Sequence, residues 1–285
     1  MADIALVTDS TADIPLEIRE KYGISMVSLK VLFGNESYLD NIELSPAQFY
    51  EKQRSFAGLP TTSQPSPAEF YEHFKRLTDE GKTVISIHLS SALSGTYQSA
   101  TIAKSMLDDE NADVTVIDSR SASYGYGMLV VKAAEMASRG AGKDEIVAEV
   151  ERLRRELRLF FLVDTLEFLQ KGGRIGKASA VLGTLLNIKP ILSIDDEGYV
   201  TPIEKVRGLK KAMGRIAELI ETDLGRASLD VIVALTPGRD EGAKEMAALL
   251  KERLNVRSLL FTEIGPVIGT HAGPGTIGLF VTPAT

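Results

Sequence analysis

TVISIHLSSALSGT, residues 83–96, decides the fold. Thr83 to Leu89 is a short apolar run bounded by a polar cluster, the pattern of a strand buried in a sheet. The hydroxyl-rich turn Ser90-Ser91-Ala92-Leu93-Ser94-Gly95 breaks it, and a helix follows to about Leu107. The same order occurs on either side. Ile4 to Val7 runs into Thr8-Asp9-Ser10-Thr11 and a helix opened by Pro15 that ends near Gly23. Val114 to Ile117 runs into Asp118-Ser119-Arg120-Ser121 and a helix over Tyr126 to Ser138. Buried strands alternating with helices at this spacing predict an α/β domain of three layers, α/β/α, with a mostly parallel sheet.

Between those units, Met26 to Phe33 and Glu36 to Leu39 flank Gly34-Asn35, a hairpin turn. Ser45-Pro46-Ala47-Gln48 and Ser66-Pro67-Ala68-Glu69 each place a Ser cap, a Pro in the first turn and an amide or acid three residues after the cap. The stretch from Leu59 to Pro65 between these two helices reads as a loop. Gly140-Ala141-Gly142 and the charged helix Glu145 to Leu157 mark the passage to a second domain, so the expected division is 1–157 and 158–285. The second half opens with strand Leu159 to Val163, a helix from Thr165 to Lys171 and another from Lys177 to Leu186. A hairpin follows, Ile191 to Ile194 and Tyr199 to Val206 around Asp195-Asp196-Glu197-Gly198. Helix Leu209 to Leu224, strand Val231 to Leu235, helix Gly242 to Leu254 and strands Ser258 to Thr262 and Ile277 to Val281 complete an α/β domain with a mixed sheet.

Composition narrows the function. The 285 residues suit two domains, and 44% apolar with 25% charged residues match an ordinary globular protein. A formal charge of -7 disfavours a nucleic-acid partner, which needs surplus Lys and Arg. With no cysteine there is no disulfide, thiolate nucleophile or Cys-ligated metal. The first residues carry Asp3 and Asp9 where a signal peptide needs a basic start and an apolar run. No apolar stretch approaches the roughly 18 residues that cross a bilayer. The expectation is a soluble cytoplasmic protein without stable membrane insertion.

Each of the three N-terminal strands ends in a Ser/Thr-rich turn, and open parallel sheets bind ligands outside those strand ends. Ser94, Gly95 and Thr96 offer hydroxyl and backbone N–H donors together. Any one such turn is explained by helix capping; three of them, with the Thr61-Thr62-Ser63 segment, point to a small anion site. These turns contain no Lys and, beside Arg120, two acids, Asp9 and Asp118. No Walker loop is present, so a single carboxylate held by neutral donors fits better than a polyphosphate.

A second candidate is Leu169-Gln170-Lys171-Gly172-Gly173-Arg174-Ile175, where a left-handed glycine turn could aim Arg174 into the cleft between the domains. A plain glycine cap with basic residues at a helix C-terminus accounts for it equally well. His271 lies in Gly269-Thr270-His271-Ala272-Gly273-Pro274-Gly275, read as a glycine-rich loop. His73 reads as a helix-face residue and His88 as a strand residue paired in place. His73, His88 and His271 have no metal-ligand spacing, so no metal is expected. A Ser94–His271–Asp9 triad can be drawn but has no nucleophile-elbow sequence behind it, and no catalytic residue is assigned. Arg152, Arg154, Arg155 and Arg158 read as a solvated helix face.

Taken together, Thr8-Asp9-Ser10-Thr11-Ala12-Asp13, Pro60-Thr61-Thr62-Ser63-Gln64-Pro65, Ser90 to Tyr97, Asp164 to Ile175, Leu186-Asn187-Ile188-Lys189-Pro190 and His271-Ala272-Gly273-Pro274-Gly275 resemble the DegV family. Its members include the fatty-acid-binding subunits of bacterial fatty acid kinase. The motifs span nearly the whole chain in order; the one departure is Ala92, where many members carry Gly. The resemblance implies a two-domain fold holding a long-chain fatty acid such as palmitate between or within the domains, and no cofactor. It implies a lipid-binding set of Thr61, Thr62, Ser63, Ser94, Gly95 and Asn187, with Arg174 and His271 near the head group. It further implies that the carboxylate is presented to a separate ATP-dependent kinase subunit, which makes an acyl phosphate for phospholipid metabolism. Burying ~14 methylenes at ~0.8 kcal/mol each offers on the order of 11 kcal/mol before ordering costs. Two other readings stay open: an autonomous acyl hydrolase or phosphotransferase using Ser94 and His271, and a carrier of another apolar carboxylate with no kinase.

Overall fold

The computed structural model describes residues 3–107, 112–183 and 188–284. The chain folds into two compact units, one of Met1–Leu44 with Pro60–Arg155, the other of Ser45–Leu59 with Glu156–Thr285. The break near 156 lies beside the expected boundary, whereas residues 45–59 group with the second unit instead of the first. The reason is a long-range contact: Phe49 and Tyr50 are buried, and the Tyr50 hydroxyl donates to the Ile264 carbonyl at 3.3 Å.

In chain order the elements begin β1 (Ile4–Asp9), α1 (Leu16–Tyr22), β2 (Ser25–Val27), β3 (Lys30–Phe33) and β4 (Glu36–Leu39). The chain then makes α2 (Pro46–Ser55) of the second unit and returns with β5 (Thr61–Ser63), α3 (Pro67–Asp79), β6 (Thr83–His88), α4 (Thr96–Ser105), β7 (Val114–Asp118), α5 (Tyr124–Ser138) and α6 (Lys143–Glu156). The first unit's main sheet runs β2-β1-β6-β7, every pair parallel. All six residues of β6 are buried, as a central strand between two helical layers requires. On one face Phe70, Phe74 and Leu77 of α3, one helical stripe, close over Val7, Val27, Val84 and Val114, with Ala100 and Ala103 of α4. Both expected capping boxes form: Ser45 accepts from the Gln48 N–H and Ser66 from the Glu69 N–H, each side chain at the third position reaching back.

The stretch expected as a loop after Leu59 holds a strand. β5 pairs antiparallel with β3, Thr62 opposite Val31, and completes a three-stranded sheet β4-β3-β5. β3 needed a partner for its open edge, and the β-branched Thr61-Thr62 pair suits a pleated ladder.

The second unit continues with β8 (Arg158–Leu162), α7 (Glu167–Lys171), a 3-10 segment Gly176–Val181, β9 (Ile188–Ile194), β10 (Val200–Arg207), α8 (Leu209–Leu224), β11 (Leu229–Leu235), α9 (Asp240–Arg253), β12 (Val256–Glu263), α10 (Pro266–Ala272) and β13 (Ile277–Pro283). Its sheet runs β10-β9-β8-β13-β11-β12; only β11–β12 is parallel among these neighbours, so the expected mixed sheet is what forms. Met213, Ile216 and Ile220 of α8 and Met246 and Leu250 of α9 pack with Val231, Val233, Leu279 and Val281 as its core. Two expectations change. Lys177 begins no α-helix: Gly176–Val181 is 3-10, Leu182 and Gly183 form a turn, and the remainder of the expected helix, residues 184–186, lies outside the described residues. The segment around His271 is the short helix α10, entered through Pro266 in its first turn, rather than a loop.

Candidate functional site

The order β2-β1-β6-β7 places a topological switch point between β1 and β6, where the chain crosses in opposite directions and the strand ends part. Asp9 ends β1 and His88 ends β6, and they meet there. Asp9 Oδ2 accepts from His88 Nδ1 at 3.0 Å and from the Leu89 N–H at 3.2 Å. Asp9 Oδ1 accepts from the Thr11 N–H at 3.1 Å, the Thr11 hydroxyl at 2.5 Å and the Tyr126 hydroxyl at 2.7 Å. His88 Nε2 lies 2.6 Å from Ser86 Oγ. Burial would raise the Asp9 carboxyl, but the His88, Thr11 and Tyr126 bonds and the His88 charge outweigh it and hold the group below its ordinary value. Burial, then the neighbouring Asp9, pushes the Tyr126 phenol well above its own.

Beyond Leu89 the chain forms a compact turn. The Ser90 carbonyl accepts from the N–H groups of both Leu93, at 3.0 Å, and Ser94, at 3.1 Å. The Ser94 hydroxyl lies 2.9 Å from Thr96 Oγ1 and its oxygen accepts the Thr96 N–H at 3.3 Å, where α4 begins. Gln64, directly after β5, lies on Gly95: a Cβ there would meet the Gln64 amide nitrogen at 2.4 Å and its oxygen at 2.5 Å. The Gln64 amide also donates to Ser99 Oγ at 3.5 Å. The structure thus brings the end of Thr61-Thr62-Ser63 beside Ser94-Gly95-Thr96, two segments about thirty positions apart in sequence. Thr61 and Ser63 are exposed, Thr62 and Ser94 half-buried. Lys30, opposite Ser63 in the ladder, is committed to Glu69 at 3.4 Å. The hydroxyl and amide side chains of Thr61 to Gln64 and of Ser94 are neutral, the chemistry that suits one carboxylate.

In the second unit, α7 ends in a Schellman cap. Gly173 takes a left-handed φ of 71°, its N–H donates to the Gln170 carbonyl at 3.1 Å, and the Arg174 N–H donates to Leu169 at 2.9 Å. The guanidinium turns back to donate to the Gly172 carbonyl at 2.7 Å. His271, in the last turn of α10, packs on the same cap: a Cβ on Gly172 would lie 2.4 Å from its Nδ1. Only glycine admits that approach. Burial first, then the charge of Arg174, pushes the His271 imidazole down to about 4, so it is neutral at neutral pH. The glycine cap forms as read, and the Arg174 guanidinium and the His271 ring both lie against it. Asn187 lies outside the described residues.

Sequence reasoning missed Gln64, whose contact with Gly95 comes from tertiary packing, and treated Asp9 as a turn residue. It paired Asp9 with His271 and Ser94 in a hypothetical triad. In the structure the Asp9 oxygens are taken by Thr11, Tyr126, His88 and Leu89. His88, read as a paired strand residue, is what it pairs with.

The model of a family described as an uncharacterised protein, DegV family, matches residues 3–284. The chain belongs to the DegV family. Protein DegV of Bacillus subtilis (strain 168) is 41% identical to it over 278 residues, covering 97% of this chain and 98% of that protein. A structure described as "Fatty Acid Binding of a DegV family Protein from Thermus thermophilus" superposes with a TM-score of 0.92 at 40% identity, over 99% of this chain and 100% of that one. A stearic acid-binding protein from Eubacterium ventriosum superposes with a TM-score of 0.87 at 28% identity, over 99% of this chain and 98% of that one. The two-unit α/β architecture is that of DegV structures.

Proposed function

We propose that this DegV protein binds a long-chain fatty acid in the cytoplasm and presents its carboxylate to a separate ATP-dependent kinase. In this reading Thr61, Thr62, Ser63, Ser94 and Gly95 hold the carboxylate with hydroxyl and N–H donors, and Asn187 contributes to the lipid site. Arg174 and neutral His271 serve the head group as it becomes an acyl phosphate. The seating of Gln64 on Gly95 carries the proposal, because it gathers two hydroxyl-bearing segments into one neutral donor surface. The bound lipids of related DegV proteins supply the ligand class. In the kinase step a carboxylate oxygen attacks the terminal phosphorus of ATP and ADP leaves. The chain has no phosphate-binding loop, so the nucleotide belongs to the partner.

An autonomous hydrolase is the weaker reading. The Ser–His–Asp chain that does form, Ser86–His88–Asp9, has its serine fully buried in β6.

Mass spectrometry of an organic extract of the purified chain, followed by titration with palmitate, tests the proposal. A co-purified or added fatty acid should bind stoichiometrically, and Ser94→Ala and Thr62→Ala should each weaken it roughly tenfold with the fold intact, the effect of losing one bond to a charged group. An empty chain that takes up no palmitate ends the proposal. Incubation with ATP and a candidate kinase should yield acyl phosphate only when this chain is present.

A further inference from the structure

We propose that Asp9 is a positioning residue for carboxylate binding: with His88 it fixes the backbone at Leu89, from which the Ser94 turn hangs. The proposal rests on the reading that this turn holds a carboxylate.

Asp9, His88 and Ser86 are each 0% exposed, so nothing in the group meets a ligand directly. A carboxylate without solvent, and without a Lys or Arg among its bonded partners, is costly to bury; an apolar pair would fill the space with less penalty. What the carboxylate supplies is direction. An ionised group only accepts, so His88 Nδ1 carries the proton that faces it, and Ser86 holds the far side of the ring. Five donors from β1's own turn, α5 and β6 then leave Asp9 one orientation. Its Oδ2 takes the Leu89 N–H, the last backbone N–H before Ser90. The Ser90 N–H is fixed to the Ser121 carbonyl at 3.0 Å, and the Ser90 carbonyl receives the Ser94 N–H at 3.1 Å. Asp9 therefore lies one hydrogen bond and one residue from the peptide unit that orients Ser94. Strands at a switch point lose ladder bonds where they diverge. The Asp9 bonds replace them at the place where the turn must be held.

The test uses the full chain and two ligands with the same tail, palmitate and hexadecanol. Asp9→Asn keeps the size but exchanges one accepting oxygen for an NH2 that cannot receive the Leu89 or His88 proton. Palmitate affinity should fall roughly tenfold, the range for one misplaced bond to a charged group, while hexadecanol affinity stays as in the wild type. Adding Ser94→Ala to Asp9→Asn should weaken palmitate little further, because both act on the same donor. Unchanged palmitate affinity overturns the proposal, as does an equal loss for both ligands, which would mark general damage to the pocket. If Asp9→Asn does not fold by circular dichroism, His88→Gln takes its place under the same criteria. Weak palmitate binding by Ser94→Ala with Asp9→Asn silent removes only the positioning role. A wild-type chain that does not prefer palmitate to hexadecanol removes the carboxylate reading as well.

Discussion

His271 should titrate near pH 4, and the second unit should lose stability as the pH falls toward that value. In the folded chain, burial and then the Arg174 charge disfavour the imidazolium and bring its midpoint to about 4. In the unfolded chain the same ring takes up its proton near an ordinary ~6.5. Between these values the unfolded state binds more protons. The contribution is therefore complete above pH ~6.5 and is lost progressively below it. Two and a half pH units at ~1.4 kcal/mol each amount to roughly 3.5 kcal/mol. The residue is not fully buried, which reduces this to on the order of 2 kcal/mol. An NMR titration of the imidazole C2–H, assigned by its disappearance in His271→Gln, gives the midpoint directly. Urea unfolding of both chains at pH 7 and pH 4.5 gives the linkage: the wild type should lose more stability than His271→Gln. His73, also lowered by burial, is common to both chains and cancels in the comparison. A midpoint between 6 and 7, or parallel losses in the two chains, would refute the reasoning.

Two further outcomes follow from the α7 cap. Gly172→Ala places a methyl 2.4 Å from His271 Nδ1 and 2.9 Å from the Phe168 carbonyl, so thermal unfolding should show a loss of about 1–3 kcal/mol from overpacking; an unchanged Tm would show that α7 and α10 can separate freely. Arg174→Ala should raise the His271 midpoint and reduce acyl-phosphate formation by a kinase more than it reduces fatty-acid binding. Equal losses in binding and transfer would contradict a role for Arg174 at the reacting head group.

Much of this protein was open to reading because its local signals agree with its tertiary placement. The apolar run of β6 needs a sheet around it, the Ser-Pro-x-Gln/Glu capping boxes specify where α2 and α3 start, and Gly172-Gly173 ends α7 as its residues require. These features depend on neighbours a few residues apart, so pattern alone carries them. Thr61-Thr62-Ser63 shows the limit: between Leu59 and Pro65 it looks like a connector, and it becomes a strand because the edge of β3 is there to pair with it. α2 shows another, since the burial of Phe49 and Tyr50 decides which unit it joins.

From its sequence alone the chain is an α/β protein with three hydroxyl-rich strand ends, an Arg174 behind a glycine cap and no phosphate loop, because residue type and spacing determine each of these. Tertiary structure alone decided that Asp9 faces His88 rather than His271, that Gln64 rests on Gly95, and that Arg174 depresses His271. Each is a contact between segments far apart in the chain, and its energy depends on distance and burial that no local pattern encodes.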